Sequence, residues 1–215
     1  LQRSEIKHAA KLILNNHFGF FVLLFLPVFI LELLSDLASF KSKNIEWTFW
    51  DSIGSVLSIL LGLIMIGIMY VLIDLFRNST DFQFPLQKSF TVFQNGTYFI
   101  SSILISLLSF VWIFLWSWLL IVPGIIKYLA YSQAYYIYRD AIDSNQSLRC
   151  RDAISKSRAL MNGHKWEYFV LQLSFIGWGL LVLVTCGIAA LWVQPYYHLT
   201  MAKYYQQLTA SVDNN

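Results

Sequence analysis

Residues 147–161, Ser147-Leu-Arg-Cys-Arg-Asp-Ala-Ile-Ser-Lys-Ser-Arg-Ala-Leu-Met161, form a basic segment that stops at Asn162-Gly163. An apolar run follows over residues 166–185, then Cys186-Gly187, then a second run from Ile188 that ends in Tyr204-Tyr205. Cys150, Ala153, Ile154, Ser157 and Met161 fall on one side of a helix, while Arg149, Arg151, Lys156 and Arg158 project elsewhere. The stretch predicts an interfacial amphipathic helix feeding a transmembrane hairpin.

The rest of the chain has the same character. Of its 215 residues, 57% are hydrophobic and 13% charged, where a soluble domain carries about 25% charged residues. Apolar runs of about 18 residues or more recur, each long enough to cross a hydrocarbon layer of about 30 Å. The alternating ten-residue segments of a membrane β-barrel do not occur. The predicted fold class is all-α, a polytopic membrane protein with six transmembrane helices near residues 18–38, 52–76, 98–122, 125–138, 166–185 and 188–205. The first run is too long for a signal-peptide core and is read as a retained span.

Local signals place the joints. Residues 4–16 predict a short amphipathic helix with Ile6, Ala9, Ala10 and Ile13 on one face. Trp47 and Trp50 suit a water–lipid boundary in the loop between the first two spans. Gly54, Gly62 and Gly67 allow close helix approach in the second span. Pro85 opens a helix with Leu86, Phe90 and Phe93 on one face, ended by Asn95-Gly96. Trp112, Trp116 and Trp118 crowd the far end of the third span, and Pro123-Gly124 is expected to break it from the fourth.

Counting Lys and Arg near span ends sets the orientation. With both termini cytoplasmic, twelve basic residues fall inside (Arg3, Lys7, Lys11, Arg77, Lys88, Arg139, Arg149, Arg151, Lys156, Arg158, Lys165 and Lys203) and two, Lys41 and Lys43, outside. Asp74 is read as a solvated residue at the cytoplasmic end of the second span. The net charge of +3 is spread along span ends, so no nucleic-acid partner is expected. The two cysteines, Cys150 and Cys186, fall on opposite faces, which disfavours a disulfide.

An internal repeat is also visible. Lys88-Ser89, Asn95-Gly96 and Tyr98-Phe99 correspond to Lys156-Ser157, Asn162-Gly163 and Tyr168-Phe169 at a nearly constant offset. Gln133-Ala134-Tyr135-Tyr136 likewise parallels Gln194-Pro195-Tyr196-Tyr197. A fainter first copy begins around Lys11 and Asn15-Asn16-His17. One transmembrane domain over residues 1–210 is expected to hold three helix-plus-hairpin repeats, 4–76, 82–142 and 147–208, followed by a disordered tail, 211–215.

Pro123-Gly124-Ile125-Ile126, Ser157-Arg158-x-Leu-Met161-x-Gly163-His164-Lys165-Trp166, Leu173-Ser174-Phe175-Ile176-Gly177-Trp178 and Pro195-Tyr196 together resemble a family of bacterial integral membrane proteins known as domain of unknown function number 975. The resemblance spans nearly the whole chain and is densest from Trp118 to Tyr205. It implies a six-helix protein of the bacterial cytoplasmic membrane. The layout is also similar to the membrane domain attached to some glycerophosphodiester phosphodiesterases, without their soluble catalytic domain. The family brings no established activity.

Charged groups inside spans are functional candidates. Glu32 falls about 21 Å into the first span at 1.5 Å per residue, and Lys127 follows the Pro123-Gly124 break. Both are expected in the outer third of the bilayer, where they pair or line a polar pocket; the alternative is that each reaches the headgroups alone. Gln133 and Gln194 occupy equivalent mid-span positions and need partners that lipid cannot supply. They either bond between helices or line a ligand cavity with Tyr135 and Tyr196. Arg149, Arg151, Lys156, Arg158, His164, Lys165 and Trp166 make a cytoplasmic elbow suited to anionic headgroups or a partner protein.

No paired acids, Ser/His/Asp set, HExxH or phosphate loop is present, and the four histidines are scattered. No enzyme activity, cofactor or metal is expected. The functional expectation is a non-enzymatic accessory or envelope-homeostasis factor binding membrane lipids or another membrane protein. The alternative is a small transporter or peptide-resistance factor with a cavity between hairpins two and three.

Overall fold

The computed structural model describes residues 3–41, 49–77, 82–119 and 121–213. Lys43, Trp47 and the side chain of Trp118 lie outside what is described. The described residues hold helices and turns and no strand. Among the described residues, four helical segments are long and apolar enough to cross a membrane: Phe18–Ser39, Phe49–Arg77, Gly96–Trp116 and Lys165–Val184.

The first layer is an antiparallel hairpin of α2 (Phe18–Lys41) and α3 (Phe49–Arg77). Ser35 and Ser58 share a 3.4 Å hydrogen bond across it. Pro27 within α2 deprives the Leu23 carbonyl of its usual intrahelical donor. One residue further on, the Leu24 carbonyl accepts a 2.6 Å hydrogen bond from the buried Ser89 hydroxyl. Ser89 comes from α4 (Pro85–Ser89), which continues into α5 (Thr91–Gln94). Both lie across the hairpin, where Gly67 lets the main chain at Ser89 and Val92 come within 3.0 and 3.2 Å of a Cβ position. Val92 is the buried apolar residue here. Leu86, Phe90 and Phe93 form the outward wall of an apolar groove with Leu26, Pro27 and Ile30, a position that suits lipid better than core.

The second hairpin pairs α6 (Gly96–Leu119) with α7 (Ile121–Tyr131) and α8 (Ala134–Asp143). Tyr135 and Ser106 share a 2.7 Å hydrogen bond, and Ser101 donates to Tyr138. α6 ends at Leu119 and α7 starts at Ile121, so the expected joint falls just ahead of Pro123, which sits in the first turn of α7, where the N–H it lacks has no intrahelical acceptor. A further interruption, which the sequence reading did not expect, falls at Ser132-Gln133.

The third unit runs through α9 (Cys150–Leu160), α10 (Lys165–Leu173), α11 (Ile176–Val184) and α12 (Ala190–Asp213). Gly163 at φ 84° ends α9 as a glycine C-cap does, and Cys186 (φ 50°) with Gly187 (φ 90°) turns the chain between α11 and α12. These joints fall where the sequence put them. α12 returns along α10 and α11, with Gln172 donating to Tyr197 at 3.4 Å and Tyr204 to the His164 carbonyl at 3.3 Å. Much of it is buried against α2, α3 and α1 (Arg3–Asn16). That burial lets it carry polar residues that a lipid-facing helix would not tolerate. α12 also continues through Ser211 to Asp213, so the expected tail is helical there: Leu208 is fully buried, and Ser211 donates to its carbonyl.

On α1 the buried residues are Ile6, Ala10 and Leu14. Lys7 donates to the Ser174 carbonyl at 3.3 Å, at the joint between α10 and α11, and its ammonium lies 4.4 Å from the Phe175 ring centre. Burial, with Arg3 nearby, holds the Lys7 pKa below the usual lysine value.

Three units are tied at one end of the bundle by charge. Arg139 bonds Asp74 at 2.8 Å and Asp143 at 3.1 Å, while Arg77 and Tyr205 both bond Asp140. Asp74 is therefore an ion-pair partner and not a free boundary carboxylate. Gln206 donates to the Phe76 carbonyl at 2.6 Å, so α3, α8 and α12 are joined together.

Candidate functional site

The basic helix α9 does not lie flat at the foot of the spans. Its Cys150 thiol is 3.9 Å from the Ser101 carbonyl near the start of α6, and its buried Ala153, Ile154 and Ser157 face the second hairpin. Ser157 reaches the interruption between α7 and α8, donating to the Ala130 carbonyl at 2.8 Å and accepting from the Gln133 N–H at 3.2 Å. A break in a helix leaves main-chain groups unpaired, and a small hydroxyl that both donates and accepts can meet two of them. From Cys150 to Arg158 the helix rises about 12 Å along the hairpin.

That docking carries Arg151, Ser155 and Arg158 to the height of Trp112 and Trp116 on α6 and Lys127 on α7. Together with Leu108, Tyr131 and Ile154 they enclose a cavity of about 230 Å³. Lys127 holds its ammonium 4.6 Å from the Trp116 ring centre, a cation–π contact. Among the described residues, three cations line the cavity and no Asp or Glu does. The nearest acid on α9, Asp152, is engaged by Arg149 at 2.9 Å. Beside the cavity, α6 presents exposed apolar side chains, among them Val111 at 44% and Leu115 at 54% exposure.

The structure separates Glu32 from Lys127, and Gln133 from Gln194. Glu32 and Lys127 do not pair: Glu32 accepts from the Gln194 amide at 3.2 and 3.4 Å, between α2 and α12, while Lys127 turns to Trp116. The reason is packing: α2 lies against α12, and α7 lies against α6 and α9. Gln133 is buried and donates to Ser132 at 2.8 Å; Tyr135 bonds Ser106. Tyr196 packs among Phe175, Trp178 and Trp192, with centroids 4.9–6.0 Å away. Gln133 and Gln194 thus turn to different helices and do not frame one cavity.

The elbow residues also divide. Arg151 and Arg158 face the cavity, whereas Arg149 pairs with Asp152 and Lys156 is exposed away from it. His164 lies 3.3 Å from Glu167, Lys165 begins α10, and Trp166 is 72% exposed against Phe169. Sequence reasoning missed the joining of Lys127 with Arg151 and Arg158. The recurrence of Lys88-Ser89 as Lys156-Ser157 was the available signal, because each serine anchors its helix to a neighbouring carbonyl. Among the described residues no group of His, Cys, Asp and Glu could hold a metal ion.

A family model matches residues 1–129 and 117–212, nearly the whole chain between them. The chain belongs to the family described as protein of unknown function (DUF975). Comparison with curated proteins and with solved structures gives no match. Membership in DUF975 names no substrate or partner, so the chemistry rests on the residues above.

Proposed function

We propose that this DUF975 chain is a non-enzymatic protein of the bacterial cytoplasmic membrane that binds an anionic lipid, or another membrane protein, as an accessory or envelope-homeostasis factor. In this reading it crosses the membrane six times with both termini inside. α7 with α8, and α12, supply the two crossings beyond the four apolar segments. Three repeated units underlie the bundle, an idea supported by the matching anchors of Ser89 and Ser157.

The observation that carries the lipid reading is the charged flank of α9 at the height of Trp112 and Trp116. In this topology Trp112 and Trp116 lie toward the outer end of α6, and exposed charges cannot face hydrocarbon without large cost, so water or headgroups of the outer boundary must meet them there. Tryptophan favours that boundary as well. A second membrane protein would have to bring acids to the same place.

Native mass spectrometry of protein extracted from its own membrane tests this reading. Retained anionic phospholipid is the expected result, and protein that emerges free of lipid and of partner would count against it. Orientation is checked by impermeant maleimide on intact cells carrying one cysteine. Cys186, exposed at the turn between α11 and α12, should label from outside. A cysteine at Arg149, whose side chain is 87% exposed, should label only after lysis. The reverse pattern would overturn the topology.

A further inference from the structure

We propose that the cavity between α6, α7 and α9 is a binding site for a phosphate group, and that its carrier is an anionic membrane lipid. The proposal rests on the lipid-binding reading and gives it an address: Lys127, Arg151 and Arg158, with Ser155 as a neutral hydrogen-bond donor and Trp112 and Trp116 as the walls.

Three like charges gathered in one hollow repel one another unless an anion joins them. Among the described residues no carboxylate lines the hollow, and Arg151 and Arg158 make no ion pair. Two guanidinium forks, an ammonium and a hydroxyl converge with many donors and no charged acceptor. That donor set matches a tetrahedral oxyanion better than a planar carboxylate, which two forks alone would saturate. The volume of about 230 Å³ falls below the roughly 300–1,000 Å³ of pockets that enclose drug-sized ligands. It has room for a phosphodiester and not for a whole lipid. The acyl chains would run outside, along the exposed Val111 and Leu115 flank of α6.

Ser157 makes the site possible without belonging to it, because its bonds to Ala130 and Gln133 hold α9 at this height. Lys127 keeps its ammonium over Trp116, already desolvated on one side. The site is therefore assembled from two elements far apart in sequence, and the anion would clamp α9 to the hairpin.

The experiment uses the full chain in nanodiscs of phosphatidylglycerol or of phosphatidylcholine, with retained lipid counted by native mass spectrometry and stability read by thermal unfolding. Phosphatidylglycerol should be retained and should raise the unfolding midpoint. Lys127→Gln, Arg151→Gln and Arg158→Gln should each weaken that retention about tenfold, about 1.4 kcal/mol, and Arg151→Lys should restore part of it. Arg149→Gln and Lys156→Gln, off the cavity, should leave it unchanged. Ser155→Glu places a carboxylate among the cations, so it should abolish retention while raising the lipid-free midpoint, an outcome that misfolding cannot imitate. Inorganic phosphate added to phosphatidylcholine discs is the second arm: an equal rise would uphold the phosphate site and overturn lipid as its carrier. An Arg151→Gln/Arg158→Gln protein that keeps phosphatidylglycerol at the wild-type level would overturn the site. The broader lipid-binding reading would survive that result, because the lipid would then bind elsewhere.

Discussion

Ser157 donates a 2.8 Å hydrogen bond to the Ala130 carbonyl, at a point where the helical ladder between α7 and α8 is interrupted. The same oxygen accepts from the Gln133 N–H. One buried hydroxyl therefore closes the break and fixes the height of a basic helix against an apolar hairpin.

Ser157→Ala should be costly for its size. It strands a buried N–H and a buried carbonyl, each worth on the order of 1–3 kcal/mol when unmet. Ser89→Ala, which strands one carbonyl bond at Leu24, should lose less. Thermal unfolding in detergent measures both, and a Ser157→Ala midpoint equal to wild type would show that the break is met some other way.

Glu32 and Lys127 should behave as strangers. Their joint charge reversal is expected to do no better than the worse single reversal, because the Glu32 carboxylate is held by Gln194 and Lys127 by Trp116. Glu32→Gln should be tolerated, since an amide oxygen still accepts from Gln194. Expression level and unfolding midpoint are the readouts, and rescue by the double reversal would contradict the observed packing.

At the charged end, a double-mutant cycle on Asp74→Asn and Arg139→Gln should give a coupling of about 1–3 kcal/mol, above the 0–1 kcal/mol of exposed pairs. The Arg139 side chain is 13% exposed and also serves Asp143, so the pair is partly shielded from water. A coupling near zero would mean that solvent already screens it.

Gly67 and Gly62 provide a matched contrast on α3. A Cβ on Gly67 would meet main-chain atoms of Ser89 and Val92 at 3.0 and 3.2 Å, whereas one on Gly62 meets nothing within 4 Å. Gly67→Ala should destabilise by about 1–3 kcal/mol through forced separation of α3 from α4 and α5. Gly62→Ala should be neutral or mildly stabilising, as expected for alanine in a helix interior. Equal midpoints for the two variants would refute the close approach.

Much of the fold was legible because it depends on local properties. The apolar runs, the turns at Asn162-Gly163 and Cys186-Gly187, and the buried stripe Ala153–Ile154–Ser157 follow from hydrophobicity, positive φ and helical spacing. Pro123 marked the joint between α6 and α7 only approximately, because proline breaks a helix interior but is accepted in a first turn, and only the true start of α7 decides which case holds. Leu86, Phe90 and Phe93 share a side as expected, yet that side points outward, since an apolar face suits lipid as well as core.

Composition and periodicity by themselves determined that the chain is helical, apolar enough for a membrane and jointed at its glycines, because each of these is settled within a turn or two of the residue concerned. Only the tertiary structure decided that Glu32 meets Gln194, 162 positions away, and that Lys127 joins Arg151 and Arg158 around one cavity. Side chains so far apart in sequence are brought together by which helices pack, and that choice is made by the summed burial of whole faces, which no single stretch of residues records.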